Sequence, residues 1–121
     1  IARREVSNSP LQALTLLNDP MFLDIARALG RQTVAAAEGD GQRLRELSRR
    51  LLSREFGPTE SAALLSYLDT QRQRLAGGAL DAATLLDAAA PQANPDTLRE
   101  EAAWMLVARA VMNLDEAIVK R

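Results

Sequence analysis

The sequence predicts an all-α fold: a compact bundle of about five to six helices, with a short first helix docked near the last long one. Two observations carry that prediction. Leu and Ala together supply 42 of the 121 residues, whereas Val and Ile supply 8 and aromatic residues 4. Straight-chain and small side chains lose little freedom in a helix, and strands favour β-branched and aromatic ones. In addition, a polar cap followed by proline occurs three times, at Ser9-Pro10, Asp19-Pro20 and Asn94-Pro95. Proline at the first helical position fixes the backbone angle where a missing N–H costs nothing, and Ser, Asp or Asn before it accepts a hydrogen bond from the first turn.

The elements follow in order. Ile1 to Asn8 reads as an extended lead-in. Ser9-Pro10 opens a short helix ending near Leu17, with Leu11, Leu14 and Leu17 on its sticky side. A helix of eight residues is not stable alone and must be held by docking. A second helix runs from Pro20 to about Ala37, with Phe22, Ile25, Ala26, Leu29 and Thr33 at helical spacing, and Glu38-Gly39-Asp40-Gly41 breaks it. The third, from Gln42 to about Phe56, sets Leu44, Leu47, Leu51 and Leu52 against Arg43, Arg45, Arg49, Arg50 and Arg54.

Gly57-Pro58-Thr59 is a turn, with Thr59 as cap of a fourth helix to about Leu75, whose stripe is Ala62, Leu64, Leu65 and Leu68. Gly77-Gly78 ends it. A shorter helix is expected over Ala79 to Ala90, and a long one from Pro95 to about Asn113, with Leu98, Ala102, Met105, Leu106, Ala108 and Met112 inward. Trp104 sits on the flank of that stripe, where burial is favoured over exposure. Leu114 to Arg121 forms a final turn or short helix.

At this length the chain is one domain, able to bury roughly two-thirds of its unfolded surface. It carries no Cys and no His, which excludes a thiol nucleophile, a disulfide, a haem-attachment motif and nearly all zinc sites. Met21, Met105 and Met112 are better read as core filling than as haem or copper ligands. No cofactor is expected. The formal net charge is −1, and no segment approaches the ~20 apolar residues that span a bilayer.

Charge is distributed unevenly. Residues 27–54 hold seven arginines against three acids, and residues 81–121 hold seven acids against four bases. The two regions are expected to face each other. The arginine-rich third helix and its successor also admit a helix-turn-helix reading, but Glu46 and Glu55 interrupt the basic face. Phosphate neutralisation dominates non-specific DNA affinity, and a nearly neutral chain supplies little of it. Nucleic acid is not expected as a partner.

The segment Ser7-Asn8-Ser9-Pro10-Leu11-Gln12-Ala13-Leu14-Thr15-Leu16-Leu17-Asn18-Asp19-Pro20 resembles the signature of a bacterial family, the planctomycetal domain of unknown function 1553. A second block, from Trp104 to Glu116, is similar to that family's terminal motif, with Trp104, Arg109, Asn113, Asp115 and Glu116 at matching positions. Ser9 stands where the family prefers Thr, which keeps the capping oxygen. Ala117 stands where an aromatic is usual, and the turn from Arg54 to Glu60 shares only Pro-Thr with the family pattern. The resemblance implies the C-terminal segment of a larger exported, extracytoplasmic protein, often with cytochrome c-like domains.

Asn8, Ser9, Asn18 and Asp19 in the first block, and Trp104, Arg109, Asn113, Asp115 and Glu116 in the second, are therefore the candidate structural or contact residues. Asp19 with Asp115 or Glu116 could form a carboxylate pair for acid–base work. Each polar group nonetheless has a local capping role available, which is the favoured reading. Arg4 or Arg109 is expected to pair with Asp115 or Glu116. No catalytic, cofactor or metal site is assigned. The expected function is a structural or interaction module, contacting neighbouring domains or a protein partner through the groove between the N-terminal pair and the final helix. The chain reads as a piece of a longer protein, whose removal would expose apolar surface near Ile1 to Leu17 and favour a homodimer.

Overall fold

The structure, a computed structural model, describes residues 20–52, 54–87 and 94–119, with the side chains of 114–119 excepted. Five helices make up the described chain: α1 (Pro20–Ala36), α2 (Asp40–Leu52), α3 (Pro58–Ala76), α4 (Ala82–Leu86) and α5 (Pro95–Val119). No strand occurs among the described residues. The all-α prediction holds, and α1, the first described helix, packs against the last, α5. The shorter helix expected over residues 10–17 lies outside the described residues.

Helix α5 is the hub, and the other four helices all pack on it. Every residue from Ala102 to Ala108 is buried, almost two full turns without a solvent-facing position. The expected one-sided stripe is thus replaced by burial all round, which is what a helix enclosed by neighbours requires. Ala103, Trp104, Val107 and Val111 join Ala102, Met105, Leu106 and Ala108 in the core. Each large side chain withdrawn from water here contributes about 1.5–3 kcal/mol before entropic losses.

Small residues let the hub be enclosed. On α1, Ala26, Gly30 and Thr33 are buried at spacings of four and three residues and lie on one face. A Cβ built on Gly30 would stand 2.6 Å from the Glu101 carbonyl oxygen and 2.7 Å from the Met105 nitrogen. The backbones of α1 and α5 touch there. Leu44 and Leu47 of α2, Leu64, Leu68 and Leu75 of α3, and Ala82 and Leu86 of α4 complete the core.

Several boundaries differ from the sequence prediction. Helix α2 starts at Asp40 and not Gln42: the Arg43 N–H donates to the Gly39 carbonyl at 2.9 Å, and the Asp40 carboxylate sits in the first turn, where it complements the helix dipole. It ends at Leu52, short of Phe56. The cap of α3 is Gly57 and not Thr59, because Pro58 takes the first helical position and Glu60 accepts the Gly57 N–H at 2.9 Å. Ala62, expected in the stripe, is exposed, and the buried position one turn from Leu68 and Leu75 is Gln71. Ile25 is likewise exposed on α1.

Helix α4 spans only Ala82–Leu86. Asp81 caps it by accepting the Thr84 N–H at 3.1 Å, and Asp87 ends it in the left-handed region at φ 53°. Asn94-Pro95 behaves as expected, the Asn94 side chain accepting the Asp96 N–H at 2.8 Å. Helix α5 then runs unbroken to Val119, where a stop near Asn113 was expected. No Gly or Pro follows Pro95 in the sequence to stop it.

The Gly30 contact yields a direct test. Gly30→Ala should gain about 1 kcal/mol of helix propensity and lose about 1–3 kcal/mol to overpacking against rigid backbone. Urea denaturation is expected to show net destabilisation. A neutral or stabilised variant would mean that the two backbones do not meet at this point.

Candidate functional site

Charged side chains of the described bundle are largely committed to holding it together. Arg72 of α3 reaches both oxygens of Asp40 at the start of α2, at 2.8 and 2.9 Å, and both oxygens of Glu100 on α5, at 2.7 and 2.8 Å. Arg43 donates to Glu100 at 3.1 Å and to the Val34 and Ala37 carbonyls at the end of α1. One half-buried cluster therefore joins four helices. The Arg72 hydrogen bonds hold the Asp40 carboxyl below its ordinary pKa, and Asp40 and Glu100 in turn raise that of Arg72.

The uneven charge of the two chain regions is thus met in part by Arg43 facing Glu100. Arg27 and Arg31 do something else, donating to the Leu85 and Leu86 carbonyls at 2.8 and 2.9 Å and closing the end of α4. The outer arginines of α2 are interleaved with acids: Arg49 and Arg50 meet Glu46, and Arg45 lies 3.8 Å from Glu55. Arg54, just beyond α2, holds Glu60 at 3.2 Å, which together with the Gly57 N–H keeps the Glu60 carboxyl below its ordinary pKa. The basic face is not one uninterrupted surface.

The open feature is a groove of about 480 Å³ between the α2–α3 turn, α3 and the C-terminal half of α5. Phe56, Ala63, Leu64, Tyr67, Ala110 and Val111 give it apolar walls, with Arg54, Glu60 and Asn113 among its polar lining. A second cleft of about 410 Å³ adjoins it, sharing Tyr67, Ala110 and Asn113 and adding Gln71, Arg74, Leu85 and Arg109. Asn113 Oδ1 and Arg109 Nε are both buried without a hydrogen-bond partner. An unmet buried polar atom costs on the order of 1–3 kcal/mol, so such atoms in a cleft mark a place where a partner group is needed.

Of the predicted contact residues, Arg109 and Asn113 are brought together, one turn apart on α5 beside these clefts. Trp104 is completely buried in the bundle interior, its indole N–H without an acceptor. Asp115 and Glu116 lie on α5, their side chains outside the described residues, as are Asn8, Ser9, Asn18 and Asp19 altogether. The pairing expected between Arg4 or Arg109 and the terminal acids falls on those same positions.

Tyr67, Phe56 and Gln71 line the clefts and were not singled out from the sequence. Tyr67 lay off the leucine stripe of its helix, the one signal that could have marked it. Met105 is in the core and Met112 packs against it, as core filling predicts, whereas Met21, at the start of α1, is exposed and does not fill the core. No group of acidic residues suited to a metal ion occurs among the described residues, and none of their helices is long and apolar enough to cross a membrane.

The model of the PSD1 family, described as Protein of unknown function (DUF1553), matches residues 1–68. The chain belongs to that family. The matched range takes in the Ser7–Pro20 signature, α1, α2 and the first half of α3; the Trp104–Glu116 block lies beyond it. No curated protein and no solved structure matches the chain.

The four-helix ion cluster sets a pH dependence. A carboxylate with a depressed folded-state pKa stabilises above its unfolded value, near 3.9, and that stability is lost as pH falls through the folded value. Arg72→Met should therefore cost about 1 kcal/mol near neutrality, with the gap to the native chain closing below about pH 4. Thermal unfolding of both chains from pH 7 to pH 2.5 checks this. A gap independent of pH would show that Arg72 acts only through its packing.

Proposed function

We propose that the chain is a non-catalytic structural module at the C-terminal end of a larger exported protein, holding neighbouring sequence or a neighbouring domain of that protein against its bundle. The observation that supports this most is the contrast between its surfaces. The one acid among the described lining of the groove, Glu60, is engaged in a structural pair with Arg54, and elsewhere Glu100 is paired with Arg72 and Arg43, and Asp96 with Arg99. Beside them lies an apolar groove with unmet buried polar atoms at its edge. Such a groove suits a packing partner, and its described lining presents no pair of free carboxylates.

The competing reading makes the module an accessory part of a hydrolase site completed by upstream domains, with Asp19 and Asp115 or Glu116 as its carboxylates. A helix-turn-helix nucleic-acid module is less well supported, because Glu46, Glu55 and Glu60 are paired with the outer arginines.

The parent protein distinguishes these. Ala63 is an exposed residue of the groove wall, so Ala63→Glu should leave the bundle's Tm nearly unchanged. It should also speed limited proteolysis of the neighbouring sequence or domain of the parent protein several-fold, because its contact with the groove is lost. Unchanged proteolysis, together with hydrolytic turnover that falls about 100-fold in Asp19→Asn or Asp115→Asn, the least expected on losing an acid–base group, would overturn the module reading.

A further inference from the structure

We infer that the two adjoining clefts form one binding surface for an acidic, apolar peptide segment: its apolar side chains fill the groove between α3 and α5, and its carboxylate pairs with Arg109. This rests on the reading of the groove as a contact surface and states the chemistry of the partner that fits it.

The two clefts differ in character. The groove of about 480 Å³ has Phe56, Ala63, Leu64 and Val111 among its walls, and its arginine and its acid, Arg54 and Glu60, are already paired with each other. The cleft of about 410 Å³ beside it is cationic: Arg74 and Arg109 line it, and no acid occurs among its described lining. Tyr67, Ala110 and Asn113 belong to both. A ligand lying across that border meets apolar surface at one end and uncompensated positive charge at the other. Both volumes fall in the range of ligand-binding clefts, about 300–1,000 Å³.

Arg109 decides the sign of the partner's charge. Other arginines of the described bundle have acceptors: Arg27 and Arg31 reach carbonyls, Arg43, Arg72 and Arg99 reach carboxylates, and Arg74 reaches the Gln71 amide oxygen at 3.1 Å. Arg109 has no hydrogen bond or ion pair with a described residue, and its Nε is buried. A guanidinium cannot shed its proton to escape burial, and a charge withdrawn from water is costly unless it is paired. Its planar fork of donors matches a carboxylate.

Asn113 separates a peptide from a simple fatty acid. One turn further along α5, its Oδ1 is an acceptor, buried and without a donor. The ligand must therefore supply an N–H or O–H close to its anionic group, because side chains one turn apart are only about 5–6 Å from each other. A hydrocarbon chain ending in a carboxylate has no such donor. In a peptide, the carboxylate of an Asp or Glu lies within that distance of its own backbone N–H, and flanking apolar residues supply the remaining contacts. Tyr67, exposed at the edge the two clefts share, offers an aromatic surface where that backbone crosses.

Two synthetic peptides test this on the 121-residue chain: acetyl-Leu-Leu-Asp-Leu-amide, and the same peptide with Asn in place of Asp. In titration calorimetry the acidic peptide should bind at least about tenfold more tightly, the least expected of hydrogen bonds to a charged group. Arg109→Gln should remove that difference and leave the Tm nearly unchanged. Arg99→Gln, the same loss of charge about 15 Å away along α5, should preserve it. Equal binding of the two peptides, no binding of either, or a difference that survives Arg109→Gln would overturn the proposal. So would dodecanoate binding as tightly as the acidic peptide, which gives the clefts to a lipid, or a dimer that the acidic peptide fails to dissociate, which gives the groove to a second copy.

In the parent protein the two readings separate. Ala63→Glu and Arg109→Gln should each speed cleavage of the neighbouring sequence or domain several-fold. Acceleration by Ala63→Glu alone leaves the groove a contact surface and overturns its acidic partner; no acceleration by either removes the contact reading as well.

Discussion

The backbone contact between α1 and α5 is the constraint on which the rest of the bundle depends. A central helix can be enclosed by four others only if some of them approach closely, and close approach requires side chains to be small where helices cross. Gly30 meets that requirement at the crossing itself, and Ala26, Ala102, Ala103 and Ala108 are all buried in the same core. The glycine is unfavourable within a helix, but the packing it permits along α5 outweighs the loss. Larger residues, Trp104, Leu47 and Leu68 among them, are fully buried and fill the rest of the core.

Once the helices are so placed, their ends need closing, and arginine does most of it. Arg27 and Arg31 satisfy carbonyls at the end of α4, Arg43 those at the end of α1, and Arg72 fixes the acidic start of α2 against α5. The guanidinium group suits this because its planar set of donors serves two or three acceptors at once. What looked in the sequence like a basic helix face is, in the fold, partly a set of fasteners. Little of it is left to attract a polyanion.

The helical class, the polar-cap-and-proline start at Asn94, and the inward leucines at 44, 47, 64 and 68 were legible because they are local properties: composition, capping chemistry and period. The cap at Gly57 was missed because Pro58 outranked the hydroxyl of Thr59, a competition between two valid signals. The extent of α5 was underestimated through a cap-like Asn113 that no Gly or Pro supports. The all-round burial of α5 was not readable from one helix, since it is decided by how many neighbours surround it. The same applies to the groove: Tyr67 and Phe56 come from different elements, and only packing places them together.

The position of the hub in chain order has a consequence for synthesis. Helices α1 to α4 leave the ribosome before α5 exists, and α5 is the surface on which all of them bury their apolar sides. Until it emerges they hold short amphipathic segments with nothing to cover them, and the contact between Gly30 and Met105 must close a loop of more than seventy residues. Folding of this unit is therefore deferred until translation has passed α5, and the nascent chain is open to chaperones and proteases until then.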